Sequence, residues 1–269
     1  MDSLSRYTTF GIGGTARRII VARSRGELID TDGLILGGGS NVLVSDGGYD
    51  GSVVINRYES IELSGSEAIV GSGTRLPYLA RFLAERGLGG LEWAEGIPGT
   101  VGGAVAMNAG AFGSCVADRI LYADVLRGGE LLRIPRDGLR LGYRRSAIGD
   151  GDVVIAAAFA LGSVDPAESL GLCDGYAAIR RAKQPRGRSA GSVFKNPEGM
   201  SIAKLIDEAG LKGYTVGGAR ISDAHANVII NTGGATARDV TDIIHTVKAA
   251  MSEIGVAAEE EIVYIGDFG

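Results

Sequence analysis

The amino-acid sequence predicts an α+β fold, with a strand-rich first part and a mixed helix-and-strand last third. Three observations carry that prediction. Short apolar runs separated by glycine turns fill the first 57 residues. Glycine makes up 44 of 269 residues against 6 prolines, roughly twice the average usage of about 7%. With no Gly-X-Y period, this marks tight turns or backbone held close to a ligand. A helical period then emerges late, in Val240, Ile243, Ile244, Val247, Met251 and Ile254.

The elements follow in order. Strands are expected at Arg17–Val21, Leu34–Leu36, Val42–Val44 and Val53–Asn56, with a weakly marked helix around Glu27–Asp30. Ser60–Leu63 and Glu67–Val70 read as two more strands. Thr74 precedes an amphipathic helix to Arg86, stopped by Gly87. From Gly87 to Gly113 there are 9 glycines in 27 residues, which argues against regular helix across most of that segment. Strands resume at Arg119–Leu126, Glu130–Ile134 and Asp152–Leu161. Pro166 opens a helix towards Lys183 that Gln184-Pro185 ends. Ser201 caps a helix that Gly210 closes, and Ala226–Asn231 is a strand. Thr236 with Asp239 outlines a capping box for the long helix that Gly255 ends. Glu261–Ile265 closes the chain in the order strand–helix–strand, which suits a crossover unit. The change of texture places a boundary near Asp174–Arg188.

Composition bounds the function. With 45% apolar and 22% charged residues, the chain buries enough surface to form one to three compact units and is not disordered. Its 27 basic and 32 acidic residues give a net charge of −5, so no chain-wide basic footprint for nucleic acid exists. No run of about 18 uncharged apolar residues appears, so no membrane span is expected. Met1–Phe10 lacks the regions of an export signal. Cys115 and Cys173 stand far apart without a CxxC partner, which points to the reducing cytoplasm. With only His225 and His245 besides, no metal site is expected.

Two glycine segments invite a ligand. Gly37-Gly38-Gly39-Ser40-Asn41 follows the apolar Leu34–Leu36, and consecutive glycines can aim successive amides into one anion-binding nest. Gly11-Ile12-Gly13-Gly14 could do the same. A ligand-free hairpin fits the first loop equally well. A dinucleotide fingerprint fails because strand, not helix, follows the loop, and a P-loop fails for want of Gly-Lys-Ser/Thr. The second segment runs from Gly96-Ile97-Pro98-Gly99-Thr100-Val101-Gly102-Gly103 to Asn108-Ala109-Gly110-Ala111-Phe112-Gly113. Tiny residues lose much chain entropy on ordering, and either a flat anionic cofactor or a tight core must offset it.

These loops, together with Thr9–Gly14, Tyr143-Arg144-Arg145-Ser146, Gly191-Ser192-Val193-Phe194-Lys195-Asn196-Pro197 and Glu261–Gly266, resemble the UDP-N-acetylenolpyruvoylglucosamine reductase (MurB) family along nearly the whole chain. The resemblance implies an FAD-binding fold of the vanillyl-alcohol-oxidase (PCMH) type in two subdomains, joined to an α+β substrate-binding domain. The parts would be residues 1–57 with the C-terminal strand 261–269, residues 58–174, and a substrate domain of residues 175–260. It further implies that NADPH reduces FAD, and that hydride then passes to the enolpyruvyl ether of UDP-N-acetylglucosamine. The product is UDP-N-acetylmuramate for peptidoglycan. A cytoplasmic monomer is expected.

The chemistry suits the residues matched to the family. Hydride arriving at C3 of the enolpyruvyl group leaves charge at C2, spread into the carboxylate. Arg144 matches the cation that faces it with planar paired donors. Ser192 matches the proton donor to C2, and Glu261 the carboxyl group that stabilises the intermediate. Glu261 donates a hydrogen bond only if a dry or anionic setting raises its pKa, and otherwise orients a donor. Gly37, Gly38, Gly39, Ser40, Asn41, Gly96, Pro98, Gly99, Thr100, Gly102, Gly103, Asn108, Gly110 and Ala111 are expected at the cofactor, and Tyr143, Lys195 and Asn196 at the substrate.

Six cations and no acid lie between Gly175 and Pro197: Arg180, Arg181, Lys183, Arg186, Arg188 and Lys195. This positive island suits diphosphate, or alternatively complements a helix C-terminus. His225 is read as a loop residue rather than a catalyst, His245 as partly exposed and Trp93 as core. The short stretch between Arg144 and the cations marks a short form without the family's extra tyrosine-bearing segment. Tyr176 lies in that interval. Two rivals remain at this stage: an FAD-dependent sugar or lactone oxidase of the same fold, and a non-catalytic protein that binds flavin or a UDP-sugar.

Overall fold

The computed structural model describes residues 2–269. They form two compact units: one holds the chain up to Ile19, Gly39–Val53 and Lys183–Gly269, the other Ile20–Gly38 and Val54–Ala182. Strands Ala16–Ala22 and Tyr49–Asn56 carry the chain through the boundary. These limits differ from the three-part expectation, and the reason is a shared core. Phe10, Ile12 and Leu43 from the N-terminal segments are buried in one cluster with Val193, Phe194, Ile202, Ile244 and Met251.

The unit built on Val54–Ala182 is organised by a five-stranded antiparallel sheet. Its order is Glu130–Pro135, Ile120–Arg127, Val153–Ala160, Glu67–Gly71 and Ile61–Ser64. Val153–Ala160 is the middle strand and buried along nearly all its length, which explains why its sequence is a continuous apolar run rather than an alternation. Val153 and Ile155 enter a cluster with Ala22, Leu28 and Val54. Val154, Ala157 and Phe159 enter the larger core with Val70, Leu79, Leu83 and Trp93. Trp93 is therefore core, as its setting in the sequence suggested. Leu28 comes from the helix Arg25–Asp30, which a complete Ser24–Glu27 capping box stabilises despite its weak apolar pattern.

One local reading changes and one is sharpened. The second helix spans Leu76–Ala84 rather than starting behind Thr74; the Thr74 hydroxyl is turned onto the Ser60 carbonyl instead, at 3.3 Å. Inside the glycine-rich segment, Val101–Ala106 is helical although each glycine costs a helix about 1 kcal/mol. Close packing selects it: a Cβ on Gly102 would stand 2.9 Å from Ser72 Cβ.

The other unit packs helices Ile202–Glu208 and Ala237–Glu253 with a three-stranded sheet of Thr215–Val216, Ala219–Ile221 and Ile229–Asn231. The first two strands carry too few residues to show a period. The closing strand, Val263–Ile265, does not form a crossover with Ile229–Asn231. It pairs in parallel with Val42–Val44, in the register Tyr264↔Leu43, because its inward Ile265 is buried and the Ser45 amide reaches the Ile265 carbonyl at 2.8 Å.

The long helix Ala237–Glu253 shows the expected periodicity, burying Val240, Ile243, Ile244, Val247 and Met251. Its N-terminus has a complete Thr236–Asp239 capping box, and the Asp46 carboxylate accepts from the Ala237 and Arg238 amides at 2.7 and 3.1 Å. Backbone hydrogen bonding from Thr236, aided by that from Gly218, holds the Asp239 carboxyl below the usual aspartate value. Replacing Asp239 by Asn keeps an acceptor for those amides and removes only the charge, which should cost about 0.3–1 kcal/mol near a helix N-terminus, seen as a lower urea midpoint at neutral pH. A depressed folded pKa contributes stability above the unfolded value of about 3.9 and loses it as pH falls through the folded value. Wild type and variant should therefore converge in acid; a gap that persists there refutes the role of the charge.

Candidate active site

The matched residues lie in both units. In the unit of Val54–Ala182, Gly37 and Gly38 lie against Gly99 and Thr100. A Cβ on Gly37 would come within 2.5 Å of Thr100 Oγ1, and one on Gly38 within 2.8 Å of Gly99 Cα. Thus two glycine loops distant in the chain share one narrow cradle. The Gly37 carbonyl accepts from Arg57 Nη1 at 3.1 Å, and since C=O and N–H of a trans peptide point opposite ways, the Gly38 amide faces away from that guanidinium. The Thr100 hydroxyl is buried, caps no helix amide and meets no hydrogen-bond partner among the described residues. Gly96 is held by its carbonyl, which accepts from Arg180 Nε at 2.9 Å; burial lowers the pKa of Arg180. Pro98 is exposed beside them, and Gly103 faces open space. The Gly102 amide is already engaged by the Ser72 carbonyl at 2.8 Å, so this glycine serves packing.

The next segment is tied to the Arg144 turn. Asn108, 5% exposed, donates through Nδ2 to the Gly142 carbonyl at 2.8 Å and accepts from the Ala117 amide at 2.9 Å. Its carboxamide is thus structural. Ser146 Oγ donates to the Ala106 carbonyl at 2.6 Å. Arg144, in the left-handed region at φ +54°, donates through Nη2 to the Gly110 carbonyl at 3.2 Å. Ala111 packs on the core, and Tyr143 is exposed with the Arg144 guanidinium 5.3 Å from its ring.

In the other unit, the Ser192 segment runs between two others. Ser192 bridges Val228, and the Val193 amide donates to the Asn227 carbonyl at 2.9 Å. The buried Asn227 side chain clasps Phe194, accepting from its amide at 2.9 Å and donating to its carbonyl at 2.7 Å. On the opposite side the Glu261 amide donates to the Val193 carbonyl at 2.7 Å. Ser192 and Glu261 are therefore brought to neighbouring backbone segments, and Asn41 Nδ2 fixes the Glu261 carbonyl at 3.0 Å. Gly39 and Ser40 precede Asn41, with the Gly39 carbonyl accepting from the Thr9 amide at 2.9 Å.

Several expectations are refined. Lys195 pairs with Glu259, so part of its charge is neutralised locally. Asn196 Oδ1 accepts from the Ile202 amide at 3.1 Å, giving its side chain a helix-capping role. A nest at Gly11–Gly14 does not form, because the Gly11 and Gly14 amides donate to the Thr8 and Ser45 carbonyls. The cation island is not one free patch, since Arg180 is engaged by Gly96 and the Arg188 side chain crowds Gly11. His225 is half-buried, which lowers its pKa, and its Nδ1 meets no partner among the described residues. Sequence reading missed Arg57 and Asn227. Asn227 lay in plain view after His225, but only the fold shows that it reaches Phe194.

Comparison with known proteins agrees with this layout. Residues 30–134 match a model of an FAD binding domain, and residues 183–265 match the C-terminal domain of UDP-N-acetylenolpyruvoylglucosamine reductase. The reductase of Geobacter metallireducens is 41% identical over 99% of this chain and 93% of its own length. That of Rubrobacter xylanophilus is 40% identical over 99% and 94%. The crystal structure of the MurB reductase from Thermus caldophilus matches with a TM-score of 0.88 at 37% identity, covering 98% of this chain and 97% of that one. By this identity along nearly its full length, the chain belongs to the UDP-N-acetylenolpyruvoylglucosamine reductase (MurB) family.

Proposed function

We infer that the protein reduces the enolpyruvyl ether of UDP-N-acetylglucosamine to UDP-N-acetylmuramate, using FAD as its bound cofactor and NADPH as the source of hydride. The observation that carries this reading is the fixed guanidinium of Arg144, anchored on the Gly110 carbonyl beside the glycine segments of a chain 41% identical to a reductase of this substrate class.

The residues fit FAD. The cradle of Gly37, Gly38, Gly99 and Thr100 has no room for a single added Cβ at Gly37 or Gly38, and the buried Thr100 hydroxyl needs an outside partner. When bound, FAD supplies the two-electron relay between nicotinamide and substrate. The chain's own residues handle charge and proton. Arg144 is the cation for the substrate carboxylate, into which negative charge spreads as hydride reaches C3; its planar donors suit that group. Ser192 gives the proton that C2 needs, and its backbone is held on both sides so that the hydroxyl meets the carbon in one geometry. Glu261 is the third member, on the segment beside Val193. We assign substrate contacts to Tyr143, Lys195 and Asn196, with Lys195 exchanging Glu259 for substrate phosphate. Both cysteines are free thiols, in keeping with the reducing cytoplasm.

Stopped-flow absorbance of the purified yellow protein tests the reading. Bleaching of the flavin band by NADPH, followed by its return on adding the enolpyruvyl substrate under anaerobic conditions, is the expected result; oxygen-dependent return with free sugars alone indicates an oxidase instead. In Ser192→Ala, bleaching should proceed nearly unchanged while the substrate-dependent return slows about 10²–10⁴-fold, as for loss of a positioned acid. Unaltered return removes Ser192 from this role. Arg144→Lys should turn over poorly, since an ammonium lacks the planar fork, and near-normal kcat refutes paired donation. Gly38→Ala should lose about 1–3 kcal/mol to overpacking and retain less flavin through gel filtration. Full flavin retention would show that the cradle tolerates the extra methyl.

A further inference from the structure

The strands Gly110–Ala111 and Ser114–Cys115 pair antiparallel, Gly110↔Cys115 and Ala111↔Ser114. Phe112 and Gly113 are left as a two-residue turn with φ of +56° and +83°. Positive φ at both positions is the hairpin geometry that favours Asn-Gly or Gly-Gly. A phenylalanine at the first position is strained, and such residues persist where their surroundings demand them. Burial is not the demand here, since Phe112 is 38% exposed. Its ring instead stacks on Tyr176, with centroids 4.3 Å apart and planes 22° from parallel. Tyr176 projects from the helix Pro166–Lys183, an element outside the glycine-rich segment.

The same hairpin holds Arg144, whose Nη2 donates to the Gly110 carbonyl at 3.2 Å. Phe112 and Arg144 are two of the four non-glycine residues with positive φ among the described residues, so strain falls on both this hairpin and the turn it holds. A continuous mechanical path results: helix, Tyr176 ring, Phe112 turn, Gly110 carbonyl, guanidinium. We propose that Tyr176 is a positioning residue that fixes Arg144 through the strained Phe112 hairpin. The proposal rests on Arg144 facing the substrate carboxylate. It assigns the phenol ring, not its hydroxyl, the work.

Tyr176→Ala, Tyr176→Phe and Phe112→Gly, each alone, test it in the FAD-loaded enzyme. Loss of one aromatic stack should lower substrate-dependent kcat about 3- to 10-fold, with bleaching by NADPH unchanged. Tyr176→Phe should restore wild-type kcat. Phe112→Gly relaxes the turn yet removes the stack, so it should lose kcat as Tyr176→Ala does; a role in turn formation alone predicts no loss. Hydrogen exchange without substrate should quicken at residues 110–115 in Tyr176→Ala and stay unchanged along Pro166–Lys183. Combined with Arg144→Lys, Tyr176→Ala should add little. Unchanged exchange and kcat in Tyr176→Ala, a defective Tyr176→Phe, or full additivity with Arg144→Lys overturns the proposal. If Arg144→Lys is impaired while Tyr176→Ala is normal, this inference alone fails; if Arg144→Lys is itself normal, the reading of Arg144 fails first.

Discussion

The buried carboxamide of Asn108 is the constraint on which the Arg144 side of the site depends. It reaches the Gly142 carbonyl with one end and the Ala117 amide with the other, so two loops that diverge in sequence are fixed to each other by one planar group. Both partners are backbone groups, and a buried backbone group left without a partner costs about 1–3 kcal/mol. Asparagine also tolerates the left-handed conformation this residue adopts. No other side chain combines a donor, an acceptor and that backbone freedom at this size.

Asn227 repeats the device in the other unit. It occupies both the amide and the carbonyl of Phe194 and so holds the Ser192 segment as the middle of three, with Glu261 on the next. Arg144 and Ser192 therefore each stand next to backbone secured by a buried amide rather than by a long sheet. Short pairings such as Gly110↔Cys115 are too small to be rigid alone. Side-chain cross-links supply the order that long ladders supply elsewhere.

Glycine has two uses in this chain. At Gly37 and Gly38 it lets two loops approach within a methyl group's width, at the place where the proposed function puts the cofactor. At Gly14 and Gly102 the same absence of a side chain lets backbone pack on backbone, with the amides already used inside the protein. Composition cannot separate the two uses, because both need the missing Cβ. Only the destination of each amide and carbonyl does so.

The sequence alone determined the pieces whose signal is local. Leu34–Leu36, Val42–Val44 and Pro166–Lys183 carry their limits in flanking glycine and proline, and the capping box of the long helix lies in four consecutive residues, Thr236–Asp239. The family resemblance carried by the segments around Arg144, Ser192 and Glu261 is likewise local in sequence. Tertiary structure decided what depends on partners far along the chain. The Val101–Ala106 helix forms against propensity because Gly102 can press on Ser72. Val263–Ile265 joins Val42–Val44, and not the strand before its own helix, because hydrogen-bond pairing answers to space rather than order. Asn196 caps a helix, Asn108 bridges two loops and Phe112 leans on Tyr176 for the same reason: a side chain's chemistry is written at its own position, but which group it satisfies is settled only when folding brings that group within about 3 Å.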